Sequence, residues 1–363
     1  MKLNLYLLLS GIVLMAVQLP LLIHVFTRRN WVDNPDERKK HKKAIPAIGG
    51  LALGLTLLEL SLVFPSLREF WMAHHGVALP MLVLLITGAW DDQKNLSSRL
   101  RFLIQAGCAV YLVASGVSVG FLGGIFGFHE LPFWFDASLT VIAVIGVTNA
   151  FNLIDGIDGL SGGMALMNLL TFALIAYLSG NAVLFSLALT WAAMTLVFLF
   201  YNWSPAKVFM GDGGSLVFGF FFIAMGLSLR QSPEISNALP SSASLALLAA
   251  LLMVPVTDTL RVFAFRISQG RSPYSADRNH LHHWIVRNRT GHTIATLRIL
   301  LVHALILPFT IFLIYMEMPL FWILITQFGI VLAYTKLVQM ITNFNRWYRF
   351  IRRFEMSEAG YTV

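Results

Sequence analysis

Residues 1–29 read MKLNLYLLLSGIVLMAVQLPLLIHVFTRR, an apolar run near 4–26 preceded by Lys2 alone and closed by Arg28 and Arg29. A helix needs about 20 apolar residues to cross the hydrocarbon of a bilayer, and this run supplies them. A cleavable signal carries its charge before the apolar run and small residues after it. Here the charge follows, so the run reads as an uncleaved anchor with its N-terminus outside. Ten further runs lie near 45–65, 77–90, 101–117, 132–149, 159–178, 181–201, 214–229, 241–263, 295–315 and 319–341. The chain thus reads as all-α, a polytopic integral membrane helix bundle of about eleven transmembrane helices. It forms one domain over 1–363, with a basic tail at 342–363.

Composition agrees. The 363 residues are 57% hydrophobic and 12% charged, whereas soluble chains are about 25% charged. The net charge of +8 would suggest nucleic acid as partner in a soluble protein. Here the cations sit between apolar runs, so topology accounts for them and no nucleic-acid partner is expected. Arg28, Arg29, Arg38, Lys39, Lys40, Lys42 and Lys43 follow the first run; Arg266, Arg271, Arg278, Arg287 and Arg289 follow the ninth. Arg346, Arg349, Arg352 and Arg353 lie in the tail, read first as a topology signal, with anionic lipid headgroups as the alternative partner. The opposite loops offer Arg68 and Arg230. Positive residues stay inside, which places the C-terminus in the cytoplasm of a bacterial inner membrane. The single cysteine, Cys108, excludes an intrachain disulfide and a cysteine-built metal site.

The chemistry-bearing residues fall in five inner loops. Asp91-Asp92 ends the third run, where the helix dipole disfavours each carboxylate by about 0.3–1 kcal/mol. They read as a metal site or a general base, against the plainer alternative of a solvated helix end balanced by Lys94 and Arg99. Residues 149–163, NAFNLIDGIDGLSGG, close the fifth run and open the sixth. Asp158 can cap the sixth helix, but capping leaves Asn152 and Asp155 unexplained. Residues 202–215, NWSPAKVFMGDGGS, open the eighth run. Two helix N-termini then meet one aqueous face, and such ends attract phosphate. Lys207 adds charge, Gly211 gives access, and Asp212 can hold a divalent cation against phosphates.

Between Asp258 and His283 lie Arg266, Arg271, Arg278 and the motif His280-Leu281-His282-His283. Zinc is one reading of three histidines. The neighbouring arginines favour a diphosphate or sugar phosphate instead. His41 to Gly50, with Lys42 and Lys43, is nearly explained as a positive flank, with a weak hint of a close-approach site at Pro46 and Gly49-Gly50. Together the loops suit transfer between a water-soluble phosphorylated donor and a lipid phosphate.

The acidic pair, the 149–159 motif, Val208 to Ser215 and the histidine motif, in this order, resemble the polyprenyl-phosphate N-acetylhexosamine-1-phosphate transferases. The resemblance runs from about Val32 to Val286. It implies a catalytic domain that transfers GlcNAc-1-phosphate from UDP-GlcNAc to undecaprenyl phosphate, releasing UMP, as the first membrane step of a surface polysaccharide. It also implies Mg²⁺ or Mn²⁺ and is compatible with a homodimer. Asp212 matches the metal-binding Asp and Asn152 an Asn near that metal. Asp158 and Phe209 match positions holding and stacking on uracil, and Asn202 another nucleotide-site Asn. Asp91 and Asp92 match the pair acting on the lipid phosphate. His280, His282, His283 and Arg266 match the loop that reads sugar and diphosphate, and Lys42 or Lys43 a basic residue near the nucleotide. The implied catalytic set is Asp91, Asp92, Asp155, His282 and His283; Lys207, Gly211, Arg271 and Arg278 join the substrate contacts. The peptidoglycan branch carries three consecutive histidines followed by Phe-Glu; Leu281 and Trp284 depart from it, which disfavours a bulky peptide-bearing donor. Other UDP-N-acetyl(deoxy)hexosamines stay open. So do a transporter and a non-catalytic scaffold, although transporters set their charges near the midplane and here only Glu59 lies deep in a run.

Overall fold

A computed structural model describes residues 4–32, 44–122, 124–125, 131–273, 275, 279–288 and 290–358. Lys42, Lys43 and Arg278 lie outside the described residues. Among the described residues fourteen helices form: α1 Leu5–Arg28, α2 Gly49–Val63, α3 Pro65–Ala73, α4 His75–Lys94, α5 Ser98–Ala114, α6 Phe133–Ile154 and α7 Leu160–Leu178. Then come α8 Ala182–Asn202, α9 Gly211–Arg230, α10 Pro233–Ala238, α11 Ser241–Ser268, α12 Leu281–Arg287, α13 His292–Tyr315 and α14 Leu320–Glu358. Among the described residues there is no strand, only an isolated bridge between Ala47 and Phe209.

All eleven expected runs are helical. Among the described residues eight helices, α1, α6, α7, α8, α9, α11, α13 and α14, are long and apolar enough to cross a membrane, as in a multi-pass membrane protein. The other three fall short of that standard: α2 has 15 residues, α5 has 17, and α4 ends in Asp91, Asp92 and Lys94. The run expected over 45–65 breaks at Phe64, and α3 leaves α2 at 108°. Pro65 opens α3 and keeps Phe64 extended, at φ −99° and ψ 108°. The tail expected from 342 continues α14, whose 39 residues span about 58 Å.

Helix α9 is the hub. It packs against α2, α4, α6 and α11, and Phe218, Phe220, Phe221 and Phe222 are fully buried. A helix apolar on all sides belongs inside a bundle. Trp191 of α8 stacks on Phe218, and Phe151 and Phe172 flank Phe222. At the polar end of α9 the glycines let backbones touch. A Cβ at Gly50 of α2 would overlap Gly214, and one at Gly88 of α4 would overlap Gly213. The entry to α2 is sewn to the same place: Gly49 N–H donates to Phe209 O (2.9 Å) and Gly50 N–H to Met210 O (2.8 Å).

Candidate active site

Contacts gather the ends of α4, α5, α6, α7, α8, α9 and α13 at one end of the bundle, together with the α11–α12 segment. At their centre is Arg101, in the first turn of α5. Its Nη1 donates to Asp91 Oδ2 (2.7 Å) and to Asp212 Oδ2 (3.3 Å). Asp91 is buried, and its Oδ1 accepts the Leu96 N–H (2.6 Å) as the chain turns out of α4. Asn152, in the last turn of α6, donates to Asp212 Oδ1 (2.8 Å) and to Ser215 Oγ (2.9 Å). One side chain thus fixes the carboxylate and the first turn of α9 together.

Asp92 is exposed beside this junction. Its Oδ1 accepts the Asp212 N–H (2.9 Å) and its Oδ2 the Gly213 N–H (3.4 Å). Met210, the residue at the N-cap of α9, makes no side-chain bond to the helix. Asp92 fills that role from another helix, where a carboxylate meets free N–H groups and the positive dipole end. Gly211 passes directly over it at φ +77°, and a Cβ there would crowd Asp92 Oδ2.

Sequence reasoning gave the cap of α7 to Asp158. The structure places Gly159 at that cap, at φ +76°, with no side-chain bond. Asn202 accepts the Gly159 N–H (3.0 Å) and donates to Val208 O (2.8 Å), latching the 155–159 turn to the 203–210 segment. Asp158 pairs through Oδ1 with His292 Nδ1 (3.2 Å) and accepts the Ala206 N–H at Oδ2 (3.3 Å). Its carbonyl accepts the Thr296 hydroxyl (2.8 Å). Burial pushes Asp158 up, but the His292 bond and charge, with Ala206 and Ser204, hold it below its ordinary value. Asp155 differs. Burial raises it to about 7, against the Ser161 hydroxyl bond and with help from the charges of Asp212 and Asp158. Phe209 and Lys207 border this segment, with Lys207 exposed.

The histidine segment meets the same turn. His282 is buried, and a Cβ at Gly156 would overlap its Nε2. Burial, then the neighbouring His283, holds His282 well below the ordinary imidazole range and keeps it neutral. His282 and His283 rings lie 4.2 Å apart. Arg266 is buried and donates to Pro273 O, whereas Arg271 is exposed. The site therefore unites Asp91, Asp92, Asn152, Asp155, Asp158, Asn202, Gly211, Asp212 and His282 around the start of α9.

Arg101, Arg261 and His292 escaped the sequence reading, which named Asp258 as the edge of the histidine cluster without giving it a role. Arg101 opens an apolar run and looks like a flank. His292 lies just before the 295–315 run. Asp258 is a charge inside the 241–263 run, and such residues are functional candidates by default.

The family model for glycosyl transferase family 4 matches residues 74–230, the stretch carrying Asp91 to Asp212. A Bacillus subtilis protein described as a probable undecaprenyl-phosphate N-acetylglucosaminyl 1-phosphate transferase is 30% identical over 325 residues, covering 89% of this chain and 87% of that protein. Undecaprenyl-phosphate alpha-N-acetylglucosaminyl 1-phosphate transferases of Salmonella typhi and Escherichia coli K12 are 30% identical over 265 residues, 70% of this chain and 69% of theirs. On this identity and coverage the chain belongs to glycosyl transferase family 4 as a phosphoglycosyltransferase.

Proposed function

We propose that the protein transfers GlcNAc-1-phosphate from UDP-GlcNAc to undecaprenyl phosphate at the cytoplasmic face of a bacterial inner membrane, releasing UMP. The observation that carries this reading is the Asp91–Arg101–Asp212–Asn152 junction, which puts a cation and two acids at one point where four helices end. Beside it Trp90, Phe102 and Leu103 are exposed, an apolar approach suited to a polyprenyl chain. On the other side the Asp158–Asn202 turn and the histidine segment suit a nucleotide sugar. All eleven apolar helices are read as spans, with the N-terminus outside, the whole chain one catalytic domain and the end of α14 a basic cytoplasmic arm.

Among the described residues no group of three or more His, Cys, Asp or Glu could enclose a metal. Mg²⁺ needs only one or two carboxylates when phosphate oxygens and water complete its shell. The surplus of negative charge that helps raise Asp155 to about 7 fits such a cation. Asp212 would hold it, with Asn152 at its edge. Bound there, Mg²⁺ (or Mn²⁺) supplies charge neutralisation on the donor diphosphate.

The residues then act by position and charge, as expected for phosphoryl transfer. Asp91 is buried and fully engaged, so it positions Arg101. Asp92 is exposed and faces the lipid phosphate, whose proton it accepts. Arg101 steadies the attacking phosphate, and its oxygen forms the new bond to the sugar-bearing phosphorus. The bond from that phosphorus to the bridging oxygen breaks, and UMP departs with the electron pair.

The test uses purified protein in detergent with undecaprenyl phosphate and Mg²⁺, and released UMP is assayed for UDP-GlcNAc, UDP-GalNAc and UDP-MurNAc-pentapeptide separately. Lipid-dependent UMP release from UDP-GlcNAc, stopped by EDTA, is expected. Asp212→Asn should abolish both turnover and its metal dependence; near-normal activity in that variant would sink the assignment.

A further inference from the structure

We infer that Asp258 is a positioning residue that fixes His280 as a hydrogen-bond acceptor for a hydroxyl or N–H of the donor hexosamine. This rests on the reaction proposed above and names one contact within it. Asp258 lies in α11 and is 2% exposed. Its Oδ1 accepts from Arg261 Nη2 (2.7 Å) and from the Leu281 N–H (3.1 Å). Its Oδ2 accepts from His280 Nδ1 (2.9 Å) and from the same N–H (3.2 Å). Arg261 also donates to Asn279 O (2.6 Å) and stacks on Trp284 at 4.3 Å. The start of α12 is therefore held by one buried ion pair.

That arrangement dictates the tautomer. An ionised carboxylate only accepts, and the guanidinium at 2.7 Å keeps Asp258 ionised. Nδ1 of His280 must carry the hydrogen, so in the neutral ring Nε2 offers a lone pair. Nε2 is buried and has no partner among the described residues. The His282 ring lies parallel to it, 5.9 Å away at 11°, and neither of its nitrogens has a partner among the described residues. Buried acceptors left empty are costly and rare. The His280 acceptor sits with the one acceptor and one N–H donor of the neutral His282 in a single stack whose far ring rests on Gly156, beside Asp155. A ligand rich in hydroxyl and amide groups, which both donate and accept, satisfies them, and a hexosamine is such a ligand.

Asp258→Asn reverses the dictated tautomer, because the amide presents an N–H to Nδ1 and the hydrogen moves to Nε2. Acceptor then becomes donor, the logic by which a triad Asp governs its His. Equilibrium binding of UDP-GlcNAc and of UMP to the purified protein with Mg²⁺ is the readout. Asp258→Asn should weaken UDP-GlcNAc about 10- to 100-fold and leave UMP, which lacks the sugar, unchanged. In a His280→Gln background, where an amide oxygen accepts without help from Asp258, the same change should cost UDP-GlcNAc nothing further. That background also controls for the loss of the Arg261 partner. Unchanged UDP-GlcNAc affinity in Asp258→Asn overturns the inference. So does equal weakening of UMP, or an equal loss in both backgrounds. Wild-type protein that binds UDP-GlcNAc but releases no UMP would overturn the reaction and leave Asp258 standing.

Discussion

Arg101 meets both of its carboxylates through a single nitrogen, Nη1. A lysine ammonium is also a single donor atom, so Arg101→Lys should keep most of the activity. Arg101→Ala leaves Asp91 buried without its counter-charge and should lower kcat/KM by about tenfold or more, the guanidinium being partly solvent-screened. Steady-state UMP release checks both, and equal loss in the two variants would argue for a bidentate role. Asp155 gives a pH signature in metal-free protein. Its folded value, about 7, lies above the ordinary 3.8. Between those values the folded state holds a proton that the unfolded chain has lost, so this contribution to stability falls as pH rises. Asp158 and His282 act oppositely, because their lowered values favour the folded state at higher pH. Comparison with Asp155→Asn isolates the first effect. In EDTA, the thermal midpoint of wild type minus that of the variant should decline from pH 4 to 7 and level off above. The acids themselves were legible in the sequence because carboxylates are conspicuous at the ends of apolar runs. Arg101 and His292 were not, and Asp258 was seen without its role, because their meaning depends on helices distant in sequence meeting at one end.

Backbone contact explains the glycines of 211–214 better than access for phosphate. Gly213 lies against α4 and Gly214 against α2, so both neighbours close on α9 within one turn. Asp212 sits between these contacts, and its position depends on them. Gly88→Ala and Gly50→Ala force backbone apart, and overpacking costs about 1–3 kcal/mol. Each should lower the thermal midpoint by several degrees and raise the Mg²⁺ concentration needed for turnover. Gly107→Ala in α5 meets nothing within 4 Å and should be neutral or stabilising. Similar midpoints for Gly88→Ala and Gly107→Ala would remove the close-packing argument. Element existence was readable from apolar runs bounded by charge, and every run became a helix. The break at Phe64-Pro65 was blurred because apolar residues continue up to it. The length of α14 was hidden because its last turns are polar and aromatic. There Thr342 accepts from Asn288 Nδ2 (2.9 Å) and Asn345 donates to Asn288 Oδ1 (3.3 Å). The arm thereby buttresses α12 and, through it, the histidine segment.

At the scale of the molecule, one end of the bundle holds the acids and histidines and the other holds the clamp of Arg230. Arg230 donates to the carbonyls of Ser118 (3.3 Å) and Val119, and Asp136 accepts the Gly120 N–H (2.6 Å). At this second end Arg230 and Asp136 are tied into the backbone, whereas the first end leaves Asp92, Lys207 and Arg271 exposed. A donor sugar nucleotide is a cytoplasmic metabolite, so the proposed reaction requires the acid end to face inward, the orientation expected from the distribution of arginines and lysines. Cys108, the single cysteine, is buried, which makes the native chain a quiet background for thiol labelling. Ser236 in α10 and Ser268 at the end of α11 are both exposed and lie at opposite ends of the α11 span. A membrane-impermeant maleimide applied to intact cells should label Ser236→Cys and spare Ser268→Cys until the membrane is opened. Labelling of Ser268→Cys alone would invert the topology and place Asp212 across the membrane from its donor. In that case UMP release by purified protein would no longer describe what the enzyme does in the cell, even with the junction at Arg101 intact.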